Sequence, residues 1–234
     1  MKIINSIEEK LHMKEFKYLI VIAMFFVAVL LISNVASSKI VSFGPLDLDA
    51  GTVLFPLSYI FGDVLTEVYG YRRVRKIIWT GFAMNILMAI VFMIVAKLPG
   101  ADFWPNQEAY DLILGWTPRI VAASVIAYFF GEFSNSYLLA KIKIRMNGKK
   151  LWVRTISSTI VGEFFDTLIF ITIAFWGVVP NEVMIGLIVS NYIFKVGVEV
   201  AFTPITYAVV GFLKKKEGVD VYDRGTNFNP FLID

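Results

Sequence analysis

The sequence predicts an all-α, polytopic integral membrane protein with six transmembrane helices and both termini in the cytoplasm. Three observations carry that expectation. Of 234 residues, 57% are apolar or aromatic and 18% are charged, with a mean hydropathy of +0.69. A soluble domain runs at about 45–50% apolar and about 25% charged. Six segments each supply the roughly 20 apolar residues needed to cross about 30 Å of hydrocarbon. The basic residues gather on one side of those segments.

The spans are expected at residues 18–36, 51–70, 77–96, 119–140, 155–179 and 184–213, leaving a short segment 1–17 and a tail 214–234. With the N-terminus inside, the cytoplasmic pieces hold eighteen Lys and Arg residues against three outside (Lys39, Lys97 and Arg119). Such an excess orients a membrane protein with its basic loops in the cytoplasm. Trp79 and Trp152 fall at inner boundaries and Trp104, Trp116 and Trp176 at outer ones, where amphipathic indoles belong. The first apolar run is longer than the core of a signal peptide, so it reads as a retained helix. The last, about 30 residues, must tilt, bend or project.

Composition also removes functions. There is no cysteine, and the single histidine, His12, lies in a charged N-terminal stretch. Thiolate or histidine metal sites, disulfides and Ser-His-Asp chemistry therefore have no residues to use. No phosphate-binding glycine loop or metalloprotease helix appears. The net charge of +3 is too small for nucleic-acid binding. No cofactor, no metal and no catalytic residue is expected, and transport is favoured over hydrolysis by carboxylates.

What the spans contain is more specific. A charge near the bilayer centre costs at least about 2.5–3.5 kcal/mol, yet Asp63, Glu67, Glu132, Glu163, Asp166, Lys195 and Glu199 all fall within expected spans. Tyr59, Asp63 and Glu67 recur every four residues; Asn191, Lys195 and Glu199 do the same, while Glu132 and Asn135 stand three apart, as do Glu163 and Asp166. Each set forms one stripe on a helix, so four helices present polar faces to a shared cavity. Gly62-Asp63, Gly131-Glu132 and Gly162-Glu163 each set a glycine before the acid, nine residues from a basic boundary residue. Nine helical residues rise about 13 Å, which puts the three carboxyls near the midplane, with a glycine beside each for close approach. Asn34, Ser37 and Ser38 form the outer lip, with Lys39 at the rim. Phe55, Tyr59, Phe129, Phe130, Phe164 and Phe165 lie close enough in sequence to stack on a flat heterocycle. Glu67 is equally able to reach Arg72 or Arg73, and Asn85 reads as interhelical glue. Six acids facing one lysine favour a proton, a cationic solute or a donor-rich ring.

The motifs Asn34 to Lys39 (NVASSK), Phe55 to Gly70 (FPLSYIFGDVLTEVYG), Phe130 to Lys141 (FGEFSNSYLLAK), Arg154 to Thr167 (RTISSTIVGEFFDT) and Tyr222 to Phe231 (YDRGTNFNPF) stand in order. Together they resemble the bacterial queuosine precursor transporter family, also described as vitamin-uptake-like. The resemblance implies import of a 7-deazaguanine (the 7-cyano base, the 7-aminomethyl base or queuine) across the bacterial inner membrane. It also implies that no ATPase subunit takes part. By motif position Asn34, Lys39, Asp63, Glu67, Glu132, Asn135, Glu163 and Asp166 become substrate-binding candidates; Tyr59, Lys195 and Glu199 join them on the stripe and depth arguments. Six helices equally suit the substrate-binding subunit of an ATP-driven energy-coupling-factor importer. Buried acids serving only packing or hydrolysis remain a third reading, and pairing of two copies stays open.

Overall fold

The computed structural model describes residues 16–232, apart from the side chain of Phe55; Lys2, Lys10, His12 and Lys14 lie outside the described residues. The chain runs α1 (Leu19–Ala36), β1 (Ile40–Phe43), β2 (Leu46–Asp49), a 3-10 turn (Ala50–Val53), α2 (Phe55–Tyr69), α3 (Tyr71–Lys97), α4 (Gln107–Leu114), α5 (Thr117–Arg145), α6 (Leu151–Phe175) and α7 (Asn181–Glu217). Among the described residues, five helical stretches are long and apolar enough to cross a membrane: Leu19–Ala36, Tyr71–Lys97, Gln107–Arg145, Leu151–Phe175 and Asn181–Glu217. Ile20, Met24, Phe25, Ile185 and Ile193 are among the exposed large apolar residues, the side chains such helices turn towards lipid.

The expected second span, 51–70, departs most from its reading. Its helix has 15 residues, about 22 Å long and short of the hydrocarbon thickness. Its first three residues belong to a 3-10 turn that follows a β-hairpin, neither of which the all-α expectation contained. The hairpin pairs Ile40 with Asp49 and Phe43 with Leu46 around Gly44-Pro45. Gly44 has φ of +60°, open to glycine and suited to the first position of a two-residue hairpin loop. Asp49 then caps the 3-10 turn, accepting a hydrogen bond from the Thr52 amide at 3.1 Å. Irregular backbone at this depth is tolerated only where protein or a water-filled cavity surrounds it, and Asp49, Gly51 and Thr52 are buried.

α2 packs against α1, α3, α5 and α7, and from Tyr59 to Tyr69 nearly every side chain is buried. It ends at Gly70, whose φ is +85° and whose missing Cβ leaves room for Val221 and Asp223. α3 starts at once, so Arg72, Arg73, Arg75 and Lys76 belong to its first turns and not to a loop. α7 is longer than its expected span, with 37 residues and Pro204 inside it. It reaches about 55 Å and therefore projects beyond the apolar layer at the end where Lys143, Arg154 and Lys214 lie, called the basic end below. The hairpin occupies the opposite end. A strap from Val219 to Phe231 folds back across the basic end. Arg75 donates to the carbonyls of Asn227 and Asn229 at 2.9 and 2.7 Å, and the Trp79 indole donates to that of Pro230 at 2.7 Å.

Candidate functional site: a buried acidic layer around Lys195

The helices cross where the sequence places its glycines. A Cβ on Gly131 would overlap the Tyr59 hydroxyl, Cβ of Asp166 and the Gly162 carbonyl; one on Gly162 would meet Cβ of Asn135 and the Gly131 carbonyl; one on Gly62 would run into the Glu132 carboxylate. Small residues let helix backbones approach closely, so α2, α5 and α6 meet at these three positions. The residue after each glycine is thereby carried into the middle of the bundle. Asp63, Glu132, Glu163 and Asp166 are all at most 1% exposed.

Within this layer Lys195 of α7 donates to Asp166 Oδ2 at 2.8 Å and lies 3.3 Å from Glu163 Oε2. One ammonium therefore ties α7 to both acids of α6. Asn135 of α5 donates to Asp63 Oδ1 of α2 at 2.7 Å. Ser136 donates to Glu132 Oε1 at 3.0 Å and receives Thr66 at 3.1 Å. Tyr59 is fully buried, edge-on to Tyr128 with 5.7 Å between ring centroids.

Towards the hairpin end lies a hollow of about 10 Å³ lined by Asn34, Ser37, Asp49, Thr52, Asp166, Phe170 and Lys195, room for about one water. Its rim is a chain of hydrogen bonds. Ser37 donates to Asp49 Oδ1 at 2.7 Å, the Thr52 hydroxyl lies 2.5 Å from both Asp49 Oδ2 and Asn191 Oδ1, and Asn191 donates to the Leu187 carbonyl. Asn34 donates to Asn85 at 2.6 Å, so Asn85 does join two helices, α1 and α3.

Of the residues singled out from sequence, Asn34, Tyr59, Asp63, Glu132, Asn135, Glu163, Asp166, Lys195 and Glu199 are gathered and buried. Lys39 is not among them: it is exposed at the mouth of the hairpin, where its backbone carbonyl receives the Ala50 amide. Glu67 is buried but faces the basic end. Arg154 grips both of its oxygens, Lys214 lies 2.5 Å and Lys143 3.3 Å from Oε1, and Lys143 also donates to the Glu67 carbonyl at 2.6 Å. Asp220 of the strap completes the cluster, 2.6 Å from Lys143 and 2.9 Å from Lys214. Beyond the membrane-spanning segments, burial raises the Asp220 pKa but the two ammonium groups outweigh it and hold it below its ordinary value.

Of the aromatics expected to stack on a ligand, Tyr59 lies in the layer and the Phe55 side chain lies outside the described residues; the others are elsewhere. Phe130, Phe164 and Phe165 point outwards and are exposed, and Phe129 packs on Phe133 and Phe231. Sequence reasoning missed Asp49, Thr52 and Phe170. The Asp49-x-x-Thr52 spacing of a capped turn was the available signal.

The family described as "Putative vitamin uptake transporter" matches residues 49–209, a stretch that starts at Asp49 and takes in the whole layer except the α1 residues. A protein of Bacillus subtilis (strain 168) named "Probable queuosine precursor transporter" is 30% identical over 186 residues, 79% of this chain and 81% of that protein. The "Queuosine precursor transporter" of Escherichia coli (strain K12) is 25% identical over 201 residues, 84% of this chain and 88% of that one. A third relative, from Haemophilus influenzae and also named "Probable queuosine precursor transporter", is 24% identical over 68% of this chain and 67% of its own length. No solved structure matches. With the buried acidic layer lying inside the matched stretch, and that stretch covering well over half of the sequence, the chain belongs to the "Putative vitamin uptake transporter" family.

Proposed function

We propose that this chain imports a queuosine precursor, a 7-deazaguanine base, across the bacterial cytoplasmic membrane by alternating access around the Lys195 layer. The observation that carries the reading is the juxtaposition of one ammonium with several carboxylates at the crossing of α2, α5, α6 and α7, beside a polar hollow. A guanine-like edge offers N1–H and an exocyclic amine to a carboxylate and a carbonyl oxygen to an ammonium. Asp166 Oδ1, which has no hydrogen-bond partner among the described residues, and Lys195 supply both kinds of group. Asn34, Asp49 and Thr52 would face the rest of the ring, with Phe170 as the apolar wall. Ligand pockets are about 300–1,000 Å³, so a hollow of about 10 Å³ admits a bicyclic base only when the helices part.

Both termini lie in the cytoplasm in this reading, and the chain crosses six times. α2 crosses as the short member, with the hairpin and 3-10 turn filling the outer part of its path. The Glu67 cluster and the strap then close the cytoplasmic side, and the hairpin covers the outer side. Transport is secondary active, without an ATPase subunit. The test is a bacterial strain unable to make queuosine precursors, given each base externally with and without this chain. Queuosine in its tRNA only when the chain is present is the expected result. Equal queuosine in both cultures sinks the reading, and copurification of ATPase subunits moves the chain to an ATP-driven importer.

A further inference from the structure

Glu199 is the anomaly of the layer. It sits one turn from Lys195 on α7 and is 1% exposed, and neither carboxylate oxygen has a hydrogen-bond partner among the described residues. The Lys195 ammonium is engaged across the interface by Asp166 and Glu163. Asp63, fully buried on the neighbouring α2, takes one hydrogen bond from Asn135 at Oδ1 and none at Oδ2. α2 and α7 pack against each other, and the charged groups that act on Asp63 are all acidic: Glu199, Glu132 and Glu67; Glu199 also acts on Glu163. An ionised carboxylate stripped of water and of donors is among the most costly groups a protein can bury, and two such neighbours do not both ionise. Among the described residues no three acids converge as ligands for a metal ion. A proton is the charge this geometry accommodates.

We propose that Asp63 and Glu199 form a proton-binding site, separate from the Lys195–Asp166 subsite for the base, and that one proton bound there crosses the membrane with each base. The division of labour rests on the transport reading above. Opening to the periplasm lets water reach the pair and a proton bind; closure then requires that proton, because the ionised pair has no donor to replace water; opening to the cytoplasm releases it. Base uptake becomes obligatorily electrogenic for an uncharged base.

The test uses the full chain in proteoliposomes, with labelled 7-cyano-7-deazaguanine, the membrane potential clamped at zero by equal potassium and valinomycin, and an imposed gradient of one pH unit, alkaline inside. One proton per base converts that gradient into about tenfold steady-state accumulation. Wild-type protein should reach that ratio, and Glu199→Gln and Asp63→Asn should fall to a ratio of one, at whatever rate they approach it. Accumulation that survives in Glu199→Gln, or that follows a sodium gradient and ignores pH, overturns the proposal. Infrared spectra of the purified protein give a second readout that needs no transport. The carbonyl stretch of a neutral buried carboxyl should be present in wild type and diminished in Glu199→Gln; an unchanged band overturns the site. If wild type moves no base while the band is lost in the variant, the transport reading fails and the proton site stands.

Discussion

Asp63 and Glu67 lie one helical turn apart on α2, both buried, yet they belong to clusters of opposite stoichiometry. Around Asp63 the carboxyls of Glu132, Glu163, Asp166 and Glu199 share a single lysine, and several oxygens have no donor. Around Glu67, Arg154, Lys143 and Lys214 converge on one carboxylate, and the strap adds Asp220 as a second, so three cations face two acids. A saturated ionic cluster has nothing left to offer a ligand; it fixes the ends of α2, α5, α6 and α7 to one another. The cation-poor layer is instead left incomplete in a way a proton or a donor-rich solute would complete. The difference is one of counting charges, and it separates a structural lock from the proposed binding site within about 6 Å of helix rise.

Breaking the lock should have the largest consequence. Glu67→Gln leaves Arg154 buried without its anion and only Asp220 for Lys143 and Lys214, and removing one partner of a buried pair costs about 3–5 kcal/mol. Unfolding in detergent should register a loss of that size, whereas a loss below about 1 kcal/mol, typical of solvated surface pairs, would mean that water already screens the cluster. Next comes the helix crossing. Gly131→Ala forces a methyl against Tyr59, Asp166 and the Gly162 carbonyl, and overpacking of this kind costs about 1–3 kcal/mol. Gly197 on α7 has nothing within 4 Å of a built Cβ, so Gly197→Ala should be neutral or gain up to about 1 kcal/mol from helix propensity. Equal behaviour of the two variants would show that the crossing is not held by close contact.

How much of this was legible in the sequence differs between the two clusters for physical reasons. The layer announced itself because an acid inside an apolar run has no innocent explanation, and because helical spacing of three and four maps directly onto one face. The Gly62, Gly131 and Gly162 positions were readable for the same reason. The partners of Glu67 were not readable because sequence offers neighbours along the chain, such as Arg72 and Arg73, and its partners come from residues 76 to 147 positions away. Asp49 lies outside every expected span; only a hairpin that folds inwards turns it into part of the rim. The phenylalanines misled because Phe is as suited to lipid as to a ligand, and local spacing does not say which. The strap was visible only as a motif, since it holds Arg75 and Trp79 through backbone carbonyls, which every residue possesses.

Between lock and layer, α1 is attached more lightly. Asn34→Ala removes the hydrogen bond to Asn85 and leaves the Asn85 oxygen without it, although the Asn85 amide keeps the Gly81 carbonyl. Side-chain hydrogen bonds between membrane helices average about 0.6 kcal/mol, and equilibrium unfolding should show a loss of that order. A loss as large as that of Glu67→Gln would make α1 part of the lock.

The smallest effect concerns the strap, where two aspartates three residues apart should respond to pH with opposite sign. Asp220 is held below its ordinary value because Lys143 and Lys214 outweigh its burial. Its contribution is therefore complete above the unfolded value of about 3.9 and is lost as pH falls through the lower folded value. Asp223 is pushed above its ordinary value, burial outweighing the hydrogen bonds from the Thr226 hydroxyl and the Tyr71 amide. For it the folded state binds the proton more tightly, so stability declines as pH rises from the unfolded value through the folded one. Asp220→Asn should then lower the unfolding midpoint at neutral pH and converge on wild type in acid. Asp223→Asn keeps an acceptor oxygen without the charge and should raise the midpoint at neutral pH, converging on wild type from above. The Asp220 side chain is 40% exposed, so solvent screening keeps its effect below about 1 kcal/mol. Variant curves that run parallel to wild type across this range would mean that neither carboxyl changes its proton affinity when the strap closes.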